Sequence, residues 1–527
     1  MKRPWYIRLL IGLLIDITFI IALFNADRWY VKLLACLLFG TCVAIHIWLA
    51  DRRESGQPYK TKQTSRFAPY IDAWALPVFI LLLFVILLLS DGFSSTIANV
   101  FPLFSQIFLQ SSIYNAALLL LLPYLRKHFS ARVCAALWIF PNFLYFASNP
   151  LLKKDKPLLI LPLPGADGYW PVLIWAIGFT TILLYQIINH LLFKKNLLKN
   201  AKRSWDINVQ RIWYDVLEQG AFQWKEYPVM ISPDISAPLS IGFFKKSTYV
   251  FLPQREYTET ELRLILTHEA VHIGRKDSIT KFFMVFCAAV CWFNPLAWIA
   301  VRHCSADMEL SCDETVLLKE SQEVKQLYAE LLLKSAGDDR GFSTCLSASA
   351  KTMLYRLTNT LKPQKRFLGA IVAGIAMFLL LSTCGLLAVS YHHVTGEEYL
   401  NNTIENAAWA NDIVYRANEN RTEYQYTDIS VLHEYLSDIT FYQLTGTYNY
   451  PKDDVLIAFY YQKTDYQDNY ASTGVISSGT VELVLKDHTL TVIDYATGGR
   501  GGPTVKTYYH NADIDWDYLI GLATPVS

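Results

Sequence analysis

The chain has 527 residues, 53% hydrophobic and 14% aromatic, with a mean hydropathy of +0.22 and a net charge of only +1. That length exceeds one ordinary domain, and that apolar share is too high for a wholly soluble protein. The charge hides an asymmetry: residues 391–527 hold 7 Lys+Arg against 19 Asp+Glu, a net of −12, and no basic stripe with interleaved aromatics points to direct nucleic-acid binding. No cysteine falls in 391–527 and no C-x-x-C pair occurs anywhere, which excludes a disulfide framework in the tail and a thiolate zinc knuckle.

Taken in chain order, apolar runs near the ~20 residues needed to cross a bilayer predict spans at about 6–24, 31–50, 70–90, 99–124, 132–149, 169–193 and 367–390. No A-x-A-like cleavage site follows the first, so it reads as a span rather than a signal peptide. Basic residues set the orientation. "MKRP", "DRRESGQPYKTKQTSR", "LRKHFSAR", "FKKNLLKNAKR" and "LKPQKR" all fall on one side if all seven spans cross, and that side is the cytoplasm. "LLKKDKP" in the 150–168 loop is the exception. The acidic tail is then extracellular. Asp16, His46, Asn115 and His190 lie within spans and read as inter-helix hydrogen-bonding or water-facing groups, because nothing gathers them into a relay.

A mostly polar block separates the sixth and seventh spans. Within it "ISAPLSIGFFKKSTYVFLP" predicts two short strands turning near Gly242. "YTETELRLILTHEAVHI" follows. Thr258 and Glu261 form a T-x-x-E capping box, and Leu262, Ile265, Leu266 and Ile273 keep helical spacing on a buried face. His268 and His272 are therefore four apart on a helix, on one face, close enough to share a metal. Glu269 points about a quarter-turn away, where a general base takes a proton from an activated water. Zinc suits such a set, and a catalytic zinc needs a third protein ligand.

"HCSADMELSCDETVLL" (303–318) offers that ligand. Glu309 and Asp313 share a helical face, so Glu309 could bind the metal while Asp313 hydrogen-bonds a histidine ring. Equally, these acids could solvate a helix face, since Asp307 and Glu314 are nearby. Between the two motifs lies an apolar stretch, 278–301, long enough to span. If it crossed, Glu309 and His268 would lie on opposite sides. The stretch is therefore expected to be a buried or membrane-embedded helix pair that does not cross, broken at Asn294-Pro295.

"APLSIGFFKKSTYVFLP", "LTHEAVHIGRKD", "WFNPLAW" and "MELSCDETVL", in this order, resemble the BlaR/MecR family of membrane-embedded zinc metallopeptidases, the sensor-transducer antirepressors. The resemblance covers about 99–390. It implies that His268, His272 and Glu309 are Zn2+ ligands, that Glu269 is the catalytic base, and that Asp313 supports a ligand from behind. Asp277 matches an acid of the family. It further implies a membrane-anchored, gluzincin-type endopeptidase that an outside ligand switches on, and whose cleavage of a protein substrate, a DNA-binding repressor, relieves transcriptional repression. A housekeeping protease that clears damaged membrane proteins would use the same site.

The expected architecture is a multi-pass α-helical membrane protein with a cytoplasmic gluzincin-like α+β zinc peptidase domain and a small extracellular α+β domain. Its parts are extra spans in 1–95, family spans in 96–203, the peptidase in 204–366, a last span in 367–390 and the acidic domain in 391–527. In the tail, "GEEYLNNTIENAAWANDIVYRA" reads as helix, "DVLIAFYYQ" as a strand, and "GTVELVLKDHTLTVIDY" as a hairpin turning at 486–488. No S-x-x-K occurs in the tail, so the serine nucleophile of penicillin sensors is missing. The tail's ligand is not legible.

Overall fold

The computed structural model describes residues 29–56, 89, 104–145, 157–162, 170–220, 226–318, 320–334, 366–384, 386–397, 407–417, 420–426, 430–444, 457–463, 480–494 and 504–525. The predicted spans at 6–24 and, but for residue 89, at 70–90 lie outside them. The chain divides into two compact units: Met1–Val100, Ile107–Leu152 and Trp170–Cys384 form the first, and Phe101–Gln106, Lys153–Tyr169 and Gly385–Ser527 the second.

The first unit begins with α1 (Trp29–Gly56), α2 (Phe104–His128), α3 (Ala131–Ile139, continued by a 3-10 turn over Phe140–Tyr145) and α4 (Trp170–Asn200). By length and composition, Phe104–His128 and Leu173–Asn200 suffice to cross a bilayer. The apolar parts of three other predicted spans are shorter: Leu33–Leu49, Ala131–Tyr145 and Leu368–Ser382. Within the predicted 132–149 span, Ala131–Ile139 is a helix buried at all nine positions, so its apolar side chains pack against protein. The last span ends early: α10 (Arg366–Ser382) stops, and a strand starts at Leu387, where the sequence turns to the alternating "LAVSYHHVT".

Numbered along the chain, β1 (Leu159–Pro162) belongs to the second unit, and the first unit's sheet comprises β2 (Lys202–Arg203), β3 (Val229–Ser232), β4 (Leu239–Ile241) and β5 (Tyr249–Pro253), in the order β2-β3-β5-β4. β3 and β5 are parallel, whereas β4 and β5 form the predicted antiparallel pair. Gly242 lies between them with φ +143°, where a Cβ would strike Ser247 O and Thr248; only glycine fits that turn. The remaining helices are α5 (Ile207–Gln219), α6 (Glu259–Arg275), α7 (Asp277–Val290), α8 (Pro295–Val316) and α9 (Gln322–Lys334). One core joins them: Ile212, Trp213 and Leu217 of α5, Val250 and Leu252 of β5, Leu262, Ile265 and Leu266 of α6, and Leu331 of α9 are all buried together.

The 278–301 stretch is indeed broken. α7 ends at Val290, and α8 begins at Pro295 with the Asn294 side chain accepting from Leu296 N at 3.0 Å. Proline at the first helical position and asparagine at the cap account for a new helix starting there. Side chains of α2 and α4 tie down this corner: Asn294 donates to Ser112 Oγ at 2.7 Å, and Trp175 Nε1 donates to Val290 O at 2.7 Å.

The second unit is a ten-stranded sheet among the described residues, in the order β1-β6-β9-β13-β12-β11-β10-β7-β8-β14. The added strands are β6 (Leu387–Thr395), β7 (Ala407–Ala417), β8 (Asn420–Tyr426), β9 (Thr440–Leu444), β10 (Ile457–Lys463), β11 (Thr480–Leu485), β12 (Thr489–Asp494), β13 (Thr504–Tyr509) and β14 (Ala523–Pro525), with helices α11 (Ser430–Ser437) and α12 (Trp516–Gly521). β10 and the β11–β12 hairpin stand where the sequence placed them. The predicted helix at 396–417 does not: 407–417 is strand β7, paired antiparallel on one side with β8 and on the other with β10. "AWANDIVY" carries β-branched and aromatic residues that suit a paired strand, and two neighbouring partners override its weak helical pattern. The loop 150–168 also supplies β1, which pairs in parallel with β6.

Candidate metal centre

α6 starts and stops as its sequence dictates. Thr258 N donates to Glu261 Oε2 at 2.9 Å, and Glu261 N donates to Thr258 Oγ1 at 3.3 Å, a reciprocal capping box. The helix ends at Lys276, left-handed at φ 60°, whose N–H returns to His272 and Ile273 carbonyls. The same residue opens α7, so the chain turns sharply and Asp277 lands against His272, five residues back. His272 Nδ1 lies 2.6 Å from Asp277 Oδ2.

His268 is held in the same way by different residues. Its Nδ1 is 2.9 Å from Tyr328 Oη on α9, and Tyr328 Oη donates to Asp313 Oδ1 at 2.6 Å. Asp313 itself is 3.4 Å from the ring, so it reaches His268 mainly through the tyrosine. Each Nδ1 is thus a donor, which fixes the tautomer with the proton there and leaves both Nε2 atoms as bare acceptors. These two acceptors face one another at 3.0 Å.

Glu309, on α8, completes the cluster. Lys281 of α7 donates to Glu309 Oε1 at 2.9 Å. Glu309 Oε2 points the other way, 3.6 Å from His268 Nε2 and 3.4 Å from His272 Nε2, and has no hydrogen-bond donor among the described residues. Burial alone would raise the Glu309 carboxyl, but the Lys281 ammonium beside Oε1 outweighs it and holds it well below the carboxylate range. Three lone pairs therefore converge on one point in a buried space. A point equidistant from atoms with these separations lies about 1.9 Å from each, so their spacing would suit the ~2.0–2.1 Å bonds of zinc to histidine and carboxylate. Without a cation, the arrangement sets like partial charges against each other. The donor set fits zinc.

Glu269 is fully buried beside these atoms. Burial pushes its carboxyl up, offset in part by a hydrogen bond from Ser240 on β4. A carboxyl raised toward neutrality is suited to accept and return a proton. Cys312, one turn beyond Glu309, is also buried, and its Sγ lies with the two histidine ligand atoms in a group whose members are all within 4.8 Å of one another. Arg275, buried in the last turn of α6, donates to Ser311 Oγ at 3.2 Å and Thr315 Oγ1 at 2.6 Å, locking α6 to α8.

All five residues singled out by the sequence meet here: His268, Glu269, His272, Glu309 and Asp313. Tyr328, Lys281, Ser240 and Cys312 did not stand out. Lys281 is a lone charge in an apolar run, which was the available signal, because a buried lysine needs an acid. Tyr328 sits 60 residues from His268 in an ordinary amphipathic helix and carries no local mark.

Comparison with known proteins covers the same segment. Residues 169–358 match the BlaR1 peptidase M56 family. The chain is 28% identical over 185 residues to the regulatory protein BlaR1 of Bacillus licheniformis, covering 35% of this chain and 30% of that protein. It is 25% identical over 172 residues to the methicillin resistance mecR1 protein of Staphylococcus aureus, covering 32% and 28%. The matched segments thus span less than a third of these relatives. The matched segment encloses every residue of the cluster, so the chain carries an M56 peptidase domain and is similar there to the BlaR/MecR-type proteins.

Proposed function

We propose that the chain is a membrane-anchored zinc endopeptidase that transduces a signal by regulated proteolysis. His268, His272 and Glu309 are its metal ligands, and Glu269 is its general base. The observation that carries this reading is the convergence of two Nε2 atoms and Glu309 Oε2, each oriented from behind by Asp277, Tyr328 or Lys281. Bound there, zinc supplies a Lewis acid that polarises water and the scissile carbonyl. The chain's residues do the rest. Glu269 takes a proton from the attacking water as its oxygen bonds to the carbonyl carbon. It then returns that proton to the leaving nitrogen as the C–N bond breaks. Ser240 holds the carboxylate in place, and burial of the whole cluster excludes bulk water and strengthens each charge interaction.

Two pairings support a consistent sidedness. β1 with β6 puts residues 159–162 and 387–390 on one side of any bilayer, and the site puts α6 and α8 on one side as well. An even number of crossings between them is met by α4 and α10 if the α7–α8 segment does not cross. We read the peptidase as cytoplasmic and the β-rich unit as extracellular, with an unidentified ligand outside. The protein substrate inside is a transcriptional repressor, in keeping with the regulatory name of the Bacillus relative.

The test uses the full chain in detergent. His268→Ala and Glu309→Ala each lose bound zinc, because each removes a ligand. Glu269→Gln keeps zinc and loses cleavage of the chain itself and of a co-expressed repressor. Full zinc occupancy in Glu309→Ala refutes the ligand assignment, and undiminished cleavage by Glu269→Gln refutes the base.

A further inference from the structure

Resting on the zinc reading above, we infer that Cys312 is a fourth protein ligand that closes the metal site in the resting protein. A zinc held by three protein ligands keeps an open position for water and is catalytic; one held by four is closed and inert. Cys312 is placed to make the difference. It follows Glu309 by three residues on α8, so both project from one helical face. Its Sγ and the two histidine ligand atoms form a fully buried group within 4.8 Å of one another. The site independently calls for a cation, because Glu309 Oε2 is more than nine-tenths buried, has no hydrogen-bond donor among the described residues and faces both Nε2 atoms.

The thiol is not firmly held elsewhere. Its hydrogen bond to the His268 carbonyl, at 3.4 Å, is weak, and its sulfur also lies within reach of both histidine rings. Rotation about its Cα–Cβ bond exchanges that contact for the metal. On coordination the S–H proton leaves to solvent, and the thiolate stands where the attacking water would otherwise be. Reversal restores the open position with no change in the other three ligands. The competing account is that Cys312 is only a small core residue, packed with the cluster around Leu266 and Val316.

X-ray absorption at the zinc edge separates the two on zinc-loaded full chain. Wild type is expected to show a Zn–S distance of about 2.3 Å beside the nitrogen and oxygen bonds at ~2.0–2.1 Å. Cys312→Ser and Cys312→Ala are expected to lose the sulfur while keeping bound zinc, and to show raised basal cleavage. A wild-type spectrum with zinc bound by nitrogen and oxygen alone overturns the inference and leaves the zinc reading intact. Sulfur that persists in Cys312→Ala overturns it too, as does loss of sulfur with no rise in basal cleavage. A chain that binds no zinc overturns both readings together.

Discussion

His268 and His272 each have one ring nitrogen committed to a partner, and on the proposed reading that commitment tunes the metal affinity. His272 leans on Asp277, a charged acceptor at 2.6 Å, whereas His268 leans on a neutral phenol relayed to Asp313. Removing such supporting groups typically lowers metal affinity ~10–100-fold. Tyr328→Phe deletes the relay and leaves the ring facing Asp313 at 3.4 Å, so zinc should be lost to a competing chelator at a concentration lower by about that factor. A chelator titration monitored by metal analysis checks this; wild-type retention would mean that Asp313 orients the ring unaided. The apo site should also be less stable, because burying three uncompensated acceptors is costly. Zinc removal is therefore expected to lower the melting temperature of wild type and to have no effect on His268→Ala.

At the scale of elements, α8 joins the site to the apolar helices. Asp307, two residues before Glu309, is fully buried and pairs with Arg126 at the end of α2 at 2.8 Å, while Trp138 of α3 donates to its other oxygen at 3.1 Å. Burial raises its carboxyl to about 6 against the pull of Arg126 and Trp138. Glu314 accepts from Ala131 N at the start of α3. Asp307→Ala removes the carboxylate from a mostly buried guanidinium and an indole N–H, and should cost about 3 kcal/mol, read as a lowered melting temperature in detergent. A second contact of this kind lies between α1 and α10. A Cβ on Gly374 would meet Ala44 Cβ and Gly40 O, each at 2.8 Å, the close backbone approach that small residues permit between apolar helices. Gly374→Leu must push the pair apart at a cost of about 1–3 kcal/mol, and Gly374→Ala should fall between it and wild type in melting temperature. The sequence showed the local parts of this design and hid the distant ones. The Thr258 cap, the Asn294-Pro295 break and the i,i+4 histidines are written in neighbouring residues. The Asp307–Arg126 pair, 181 residues apart, is written nowhere locally. The strand at 407–417 was misread because β8 and β10, which make it a strand, come later in the chain.

At the scale of the whole chain, the loop carrying β1 resolves the one departure from the basic-residue rule. Residues 150–168 hold "LLKKDKP", which by charge alone would be drawn to the cytoplasm. Yet Leu159–Pro162 pairs in parallel with Leu387–Ser390, so this loop must share a compartment with the acidic tail. Strand pairing outranks a few lysines, because four paired residues cannot be divided by a bilayer. The chain then leads from Pro162 into α4 at Trp170, and from the end of α4 at Asn200 into β2 at Lys202. One helix thus links the tail's sheet covalently to the peptidase's sheet, and if α4 crosses, those sheets lie on opposite faces of the membrane. Single cysteines at exposed positions test this. Leu158 is 80% exposed, Val505 56% and Ile207 83%, while the native cysteines among the described residues are all buried, so the wild-type chain serves as the blank. In intact cells a membrane-impermeant maleimide should label Leu158→Cys and Val505→Cys alike and leave Ile207→Cys untouched until the cells are opened. Equal labelling of Leu158→Cys and Ile207→Cys in intact cells would mean that α4 does not cross, and the assignment of sensor outside and peptidase inside would fall with it.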